Sequence, residues 1–261
     1  MAPEGTPLPT ESPDPRRHRQ GAGALAAAGE AVFYRVVGEG SQLFGKTFVR
    51  DEAGSRRLAL TFDDGPNDPH TLRLLDVLAK HEVKATFFMI GRFVAERPEI
   101  ARAVAQAGHA IGNHTYTHPN LFFASGSRLA QELDECERAL TGAVGEHSRL
   151  FRPPWGFRRP ATLRAAARRG LATVMWSVSA QDWKLKTAEA IEQAAAAQIT
   201  GGEVILLHDG RHWQMGADCT VTIAAAERLI TRYSGEGYDF VTVPEMMSGK
   251  RKRTAEGRPT A

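Results

Sequence analysis

The sequence predicts an α/β fold in which a parallel sheet, covered by helices, curls into a barrel of about seven strands. Three observations carry that expectation. Short apolar segments bounded by turn residues alternate with segments of helical periodicity. The apolar segments are continuous enough to be buried on both faces, as strands of a parallel sheet are. Every candidate reactive residue falls just beyond the C-terminal end of a strand. An open doubly wound sheet fits the alternation equally well, but convergence of many strand ends on one centre is the geometry of a barrel mouth. Seven strands in place of eight make the barrel incomplete or distorted.

The elements follow in order. A first strand spans 57–62, and Leu72, Leu75 and Leu78 at helical spacing mark a helix over 68–80. A second strand, 85–90, leads to a helix over 92–107, with Pro98 as a candidate interruption and Gly108 in the C′ position. The third strand, 109–112, precedes a helix over 127–141. The fourth, 149–151, precedes a helix over 160–169 that opens on Pro160 and stops before Gly170. The fifth strand, 172–177, is followed by a helix over 187–198. The sixth, 203–207, is followed by a helix over 220–233, and a seventh strand covers 239–243. No repeat of solenoid period is present.

The chain has 261 residues and 42% hydrophobic content, enough for a full core. Residues 38–247 are expected to form one domain, between a disordered or loosely packed extension over 1–37 and a basic disordered tail over 248–261. The formal charge of +3 belongs to that tail, where five basic residues stand against Glu256, so the body is slightly acidic. A solvated tail is the simpler reading of Lys250 to Arg253, and no nucleic-acid partner is expected. No apolar run approaches the roughly 20 residues of a membrane span. Arg16 to Arg19 followed by an Ala- and Gly-rich stretch is a poor signal peptide, broken by Glu30, which favours a cytoplasmic location. Cys136 and Cys219 are read as free thiols. No feature of the sequence sets an oligomeric state.

Five segments carry chemistry. Thr61-Phe62-Asp63-Asp64-Gly65-Pro66 runs a strand into a turn with two adjacent carboxylates, one able to ligate a cation while the other handles a proton. Alone, it fits a solvated Asp-Gly turn as well. His114 and His118 stand four residues apart after the third strand, a spacing that can bring two imidazoles onto one metal but also arises by chance among nine histidines. Two His and one Asp leave coordination positions open, the requirement for catalysis. Arg152-Pro153-Pro154-Trp155-Gly156 is a stiff turn that fixes an arginine at the mouth, where it can keep a carboxylate ionised, or it is a surface loop. Asp182, in the segment 176–183, and His208, after the sixth strand, make a carboxylate-imidazole pair suited to an acid, or a structural turn.

Taken in order, Thr-Phe-Asp-Asp-Gly-Pro, His-Thr-x-x-His here spanning 114–118, Arg-Pro-Pro-Trp-Gly, Asp-Trp and Leu-x-His-Asp resemble the five signature motifs of the polysaccharide deacetylase (NodB-like) family, carbohydrate esterase family four. The similarity spans about residues 57–243. It implies a distorted (β/α)7 barrel and metal-dependent removal of an N-acetyl or O-acetyl group from an acetylated sugar or polysaccharide.

The resemblance makes Asp63 the base and Asp64, His114 and His118 the ligands of one divalent metal, zinc first, with cobalt, nickel or manganese also fitting. It implies that Arg152 pairs with Asp63, that the Trp155 N–H binds the oxyanion, and that Asp182 orients His208, the acid that protonates the leaving amine. Leu206 and Trp183 would line the acetyl pocket. Two departures stand out: Ser179 replaces a common aspartate near the fourth motif, and residues 211–219, with His212 and Trp213, lack the family's usual glycine-rich opening. They leave room for a hydrolase of a small intracellular amide or acetyl sugar, and for an inactive carbohydrate-binding relative.

Overall fold

A computed structural model describes residues 41–249. The expectations for residues 1–37 and for most of the basic tail lie outside these residues. Among the described residues, eight strands, all parallel, form one sheet in the order β5-β4-β3-β2-β1-β7-β6, with β8 also paired to β1. They are β1 (Arg57–Asp63), β2 (Thr86–Met89), β3 (Ala110–Asn113), β4 (Leu150–Phe151), β5 (Ala172–Thr173), β6 (Val178–Ser179), β7 (Val204–His208) and β8 (Asp239–Phe240). The helices between them are α1 (His70–Lys80), α2 (Gly91–Glu96), α3 (Pro98–Gln106), α4 (Gly126–Val144), α5 (Pro160–Ala167), α6 (Ala188–Ala196), α7 (Thr220–Gly235) and α8 (Val243–Met247).

The ends of the sheet meet through one stretch of chain. Of the fifth predicted strand, 172–177, only Ala172–Thr173 is strand, β5, paired with β4, and the chain forms β6, paired with β7, just beyond the predicted end. Between them Val174 N–H donates to the Phe151 carbonyl and Ser177 N–H to the Val204 carbonyl. The same stretch thus follows one edge strand and then the other, which curls the sheet into a distorted barrel.

Side-chain alternation sorts β1 into two faces. Leu58, Leu60 and Phe62 join the cluster beneath the helices with Leu74, Leu78, Leu229 and Ile230. Ala59 faces the barrel interior with Phe88, Leu150, Trp176 and Leu206. The same parity sends Thr61 and Asp63 inward. Each large apolar side chain buried this way contributes roughly 1.5–3 kcal/mol, so β1, buried from Leu58 onward, is firmly anchored beneath the site.

The candidate interruption at Pro98 divides the helix over 92–107 in two, because Pro98 cannot continue α2 and instead opens α3 at its first position. Two local expectations are corrected. The seventh strand stops at Phe240, not Val243. Thr242 and Glu245 form a capping box that turns the chain into α8, with Pro244 in its first turn. The first helix begins at His70, two residues after Asp68, because Pro69 occupies its N-cap. Cys136 and Cys219 are free and buried. No helix among the described residues is long and apolar enough to cross a membrane.

Candidate active site

The C-terminal ends of β1, β3, β4 and β7 bring Asp63, Asp64, His114, His118, Arg152 and His208 to one end of the barrel, with Asp182 joining from the loop after β6. The neighbouring carboxylates part company as the strand ends. Asp63 keeps the inward parity and accepts from Arg152 Nη1 at 2.7 Å. Asp64, at φ 73°, turns to the two histidines.

Arg152 is wholly buried and fully engaged. Its guanidinium also donates to Thr61 Oγ1 at 2.7 Å and to the Met175 carbonyl at 2.9 Å, and it lies 4.1 Å from the Phe88 ring centroid. A buried guanidinium this well satisfied serves one carboxylate and cannot leave it cheaply. Breaking such a pair costs about 3–5 kcal/mol.

Asp64, His114 and His118 are buried, and one potential ligand atom from each lies within 4.8 Å of the others. His114 Nδ1–H donates to the Arg152 carbonyl at 2.7 Å, which leaves the Nε2 lone pair aimed at Asp64 Oδ1, 3.5 Å away. His118 Nε2 is 3.2 Å from the same oxygen. That oxygen is buried without a hydrogen-bond partner. Burial works against the Asp64 charge, yet the contacts of His114 and His212 and the nearby imidazoles hold its carboxyl well below the usual range. Burial, then the charge of His114, drives the pKa of His118 far down, so it presents a neutral ring. An ionised carboxylate and two imidazole nitrogens converging on an unsatisfied point fit a divalent metal with open positions.

The loop carrying His114 and His118 is held by residues that the sequence reading missed. Glu132 on α4 is 1% exposed and accepts from the N–H groups of Tyr116 and Thr117 and from Thr117 Oγ1, with Arg128 paired to its carboxylate. Asn113 Oδ1 accepts from Thr115 N–H. The available signal was a charge at 132 on the stripe Leu129, Leu133, Cys136, an apolar helix face where an unpaired acid is costly.

On the far side of Asp63, His208 Nδ1–H donates to Asp182 Oδ1 at 2.9 Å, while Asp182 Oδ2 accepts from His208 N–H and Thr222 Oγ1. Burial disfavours the imidazolium, but the Asp182 charge and hydrogen bond outweigh it and raise the His208 pKa to about 9. Behind this pair Asp209 accepts from Thr71 Oγ1. Burial holds its carboxyl up to about 7 against that bond, with Asp64 and Asp63 adding repulsion.

Trp155 adopts φ 51° within the turn Pro154–Gly156, and its ring meets His118 edge-on at 4.3 Å. Trp183 is half-exposed with its ring 5.4 Å from His208, and Leu206 is buried in the barrel interior. Ser179 lies on β6, its N–H and carbonyl both held by the Gln198 amide, so a backbone clamp fixes the start of the fourth segment's loop. Positive φ at non-glycine residues gathers here: Asp64, Thr115, His118, Trp155 and Gln181 all have it, and Glu82 is the exception among the described residues. Such conformations persist only where the surroundings enforce them and cluster at working sites.

The polysaccharide deacetylase family pattern matches residues 50–174. A chitooligosaccharide deacetylase of Sinorhizobium fredii is 38% identical over 206 residues, 77% of this chain and 96% of that protein. The crystal structure of a peptidoglycan N-acetylglucosamine deacetylase superposes with a TM-score of 0.71 at 33% identity, covering 77% of this chain and 92% of the other. A family 4 acetyl xylan esterase from Clostridium thermocellum, solved with a cobalt ion, gives 0.67 at 31% identity, covering 74% and 90%.

Proposed function

Because the chain belongs to the polysaccharide deacetylase family, whose members hydrolyse acetyl groups on carbohydrates, we propose that it removes the N-acetyl group of N-acetylglucosamine units in an oligo- or polysaccharide, using one divalent metal held by Asp64, His114 and His118. The observation that carries this reading is the triad itself, an ionised carboxylate oxygen without a hydrogen-bond partner facing two imidazole nitrogens in a buried site. The relatives named for chitooligosaccharide and peptidoglycan support the substrate class.

A bound divalent ion supplies Lewis acidity toward a carbonyl and acidifies water. The chain supplies the rest. Asp63, paired with Arg152 and placed 3.8 Å from His114, takes the proton of the attacking water. The Trp155 backbone, stiffened by Pro153 and Pro154, contributes an N–H to the developing oxyanion. His208, held cationic by Asp182, protonates the departing amine. Leu206 and Trp183 exclude water around the acetyl methyl group.

Acetate release from N-acetylglucosamine oligomers of increasing length, soluble peptidoglycan fragments, acetylated xylan and N-acetylglucosamine itself tests this reading. Release from the N-acetylated oligomers is expected. Release from the monosaccharide alone would move the assignment to a small-molecule hydrolase, and no release from any of them would support an inactive relative.

A further inference from the structure

The turn after β7 sets an additional imidazole against the triad. It leaves the strand on a line open only to glycine: a Cβ at Gly210 would lie 2.4 Å from the Asp64 carbonyl oxygen. The turn is then fixed from several sides. Arg211 and Gln214 form an antiparallel bridge, Arg92 Nη2 donates to the His212 carbonyl, and Asn67 accepts from Gly216 N–H while donating to the Ala217 carbonyl.

His212 is thereby carried inward. Its ring lies on His118 with centroids 4.4 Å apart and planes 15° from parallel, and the edges of Trp155 and Trp213 confine it at 5.1 and 4.8 Å. Its Nδ1 is 3.8 Å from Asp64 Oδ2, the oxygen opposite the one that His114 and His118 face. Two of the three triad residues therefore touch His212, each through a part it does not turn toward the others.

We propose that His212 is a positioning residue for the metal site: it fixes the ring plane of His118 and the carboxylate plane of Asp64, and so raises affinity for the ion. This rests on the reading of Asp64, His114 and His118 as metal ligands. Partners that orient ligands in this way are typically worth about 10- to 100-fold in metal affinity.

The test is zinc affinity of the full chain, measured by competition with a chromophoric chelator, together with the visible spectrum of the cobalt-loaded protein. His212→Ala is expected to bind zinc about 10- to 100-fold more weakly and to alter the cobalt bands while keeping a cooperative thermal transition. His212→Phe, which keeps a stacked ring without Nδ1, is expected to fall between the two, and it carries the test if the alanine variant does not fold. Wild-type affinity and an unchanged cobalt spectrum in both variants would overturn the proposal. Failure of the unsubstituted chain to bind zinc would instead overturn the metal reading beneath it.

Discussion

Asp63 and His208 are register partners across β1 and β7, so their side chains leave adjacent parallel strands on the same inward face. Each has its own buried support, Arg152 for the carboxylate and Asp182 for the imidazole. Two titratable groups on one face with environments of opposite sign are the arrangement an acid and a base require.

The first prediction concerns the base. Asp63→Asn keeps the shape of the side chain and leaves the triad intact, so zinc should still bind while kcat falls by about 10²- to 10⁴-fold. Zinc stoichiometry and acetate release measured on the same preparation decide it. If the variant lost zinc, Asp63 would be a ligand and its assignment would exchange with that of Asp64.

The second concerns the acid. The His208 pKa is raised to about 9, so the protonated form is present below that pH and is lost as pH rises through it. The basic limb of the kcat/KM profile should therefore lie on the alkaline side. Asp182→Asn removes the main support for the imidazolium and should move that limb to lower pH, toward the ordinary histidine value, while leaving the acid limb nearly in place. A basic limb that stays where it was would assign it to another group.

A third prediction reads the buried Asp209. Its folded-state pKa, near 7, lies above the unfolded carboxylate value, so the folded chain binds the extra proton and loses stability as pH rises from about 4 to about 7. In metal-free protein, Asp209→Asn should gain on the wild type across that window when unfolding free energies are measured by denaturant. A constant difference between the two proteins would show that Asp209 does not titrate there.

The fourth concerns Glu132. Truncation to Ala strands two partly buried N–H groups in the loop carrying His114 and His118, each at up to about 1–3 kcal/mol. Glu132→Ala should lower the thermal transition and weaken zinc binding together, whereas Glu132→Gln should retain more of both. Unchanged zinc affinity in a destabilised Glu132→Ala protein would confine the residue to stability.

The barrel was legible because strand ends, glycines and helical periodicity recur in fixed order, and the motif residues could be placed from those ends alone. What escaped was decided by tertiary geometry. The break at residues 172–179 follows from one segment serving both edges of the sheet, which no local pattern encodes. Helix α8 did carry a readable signal in Thr242-x-x-Glu245 with Pro244, but the preceding apolar run reads as continuous strand. Pro98 was visible as a break because a prolyl ring acts locally. Glu132 and His212 reach the site across the fold, from α4 and from the turn after β7, so their sequence neighbours say little about what they touch.

Metal dependence is tested most directly by stripping the full chain with a chelator, confirming by elemental analysis that no metal remains, and measuring acetate release from an N-acetylglucosamine oligomer before and after adding one equivalent of zinc. The predicted result is no release from the stripped protein, recovery with zinc or cobalt, and one bound ion per chain that His114→Ala and His118→Ala fail to retain. Undiminished release from the metal-free chain, or recovery that survives loss of both histidines, would contradict it.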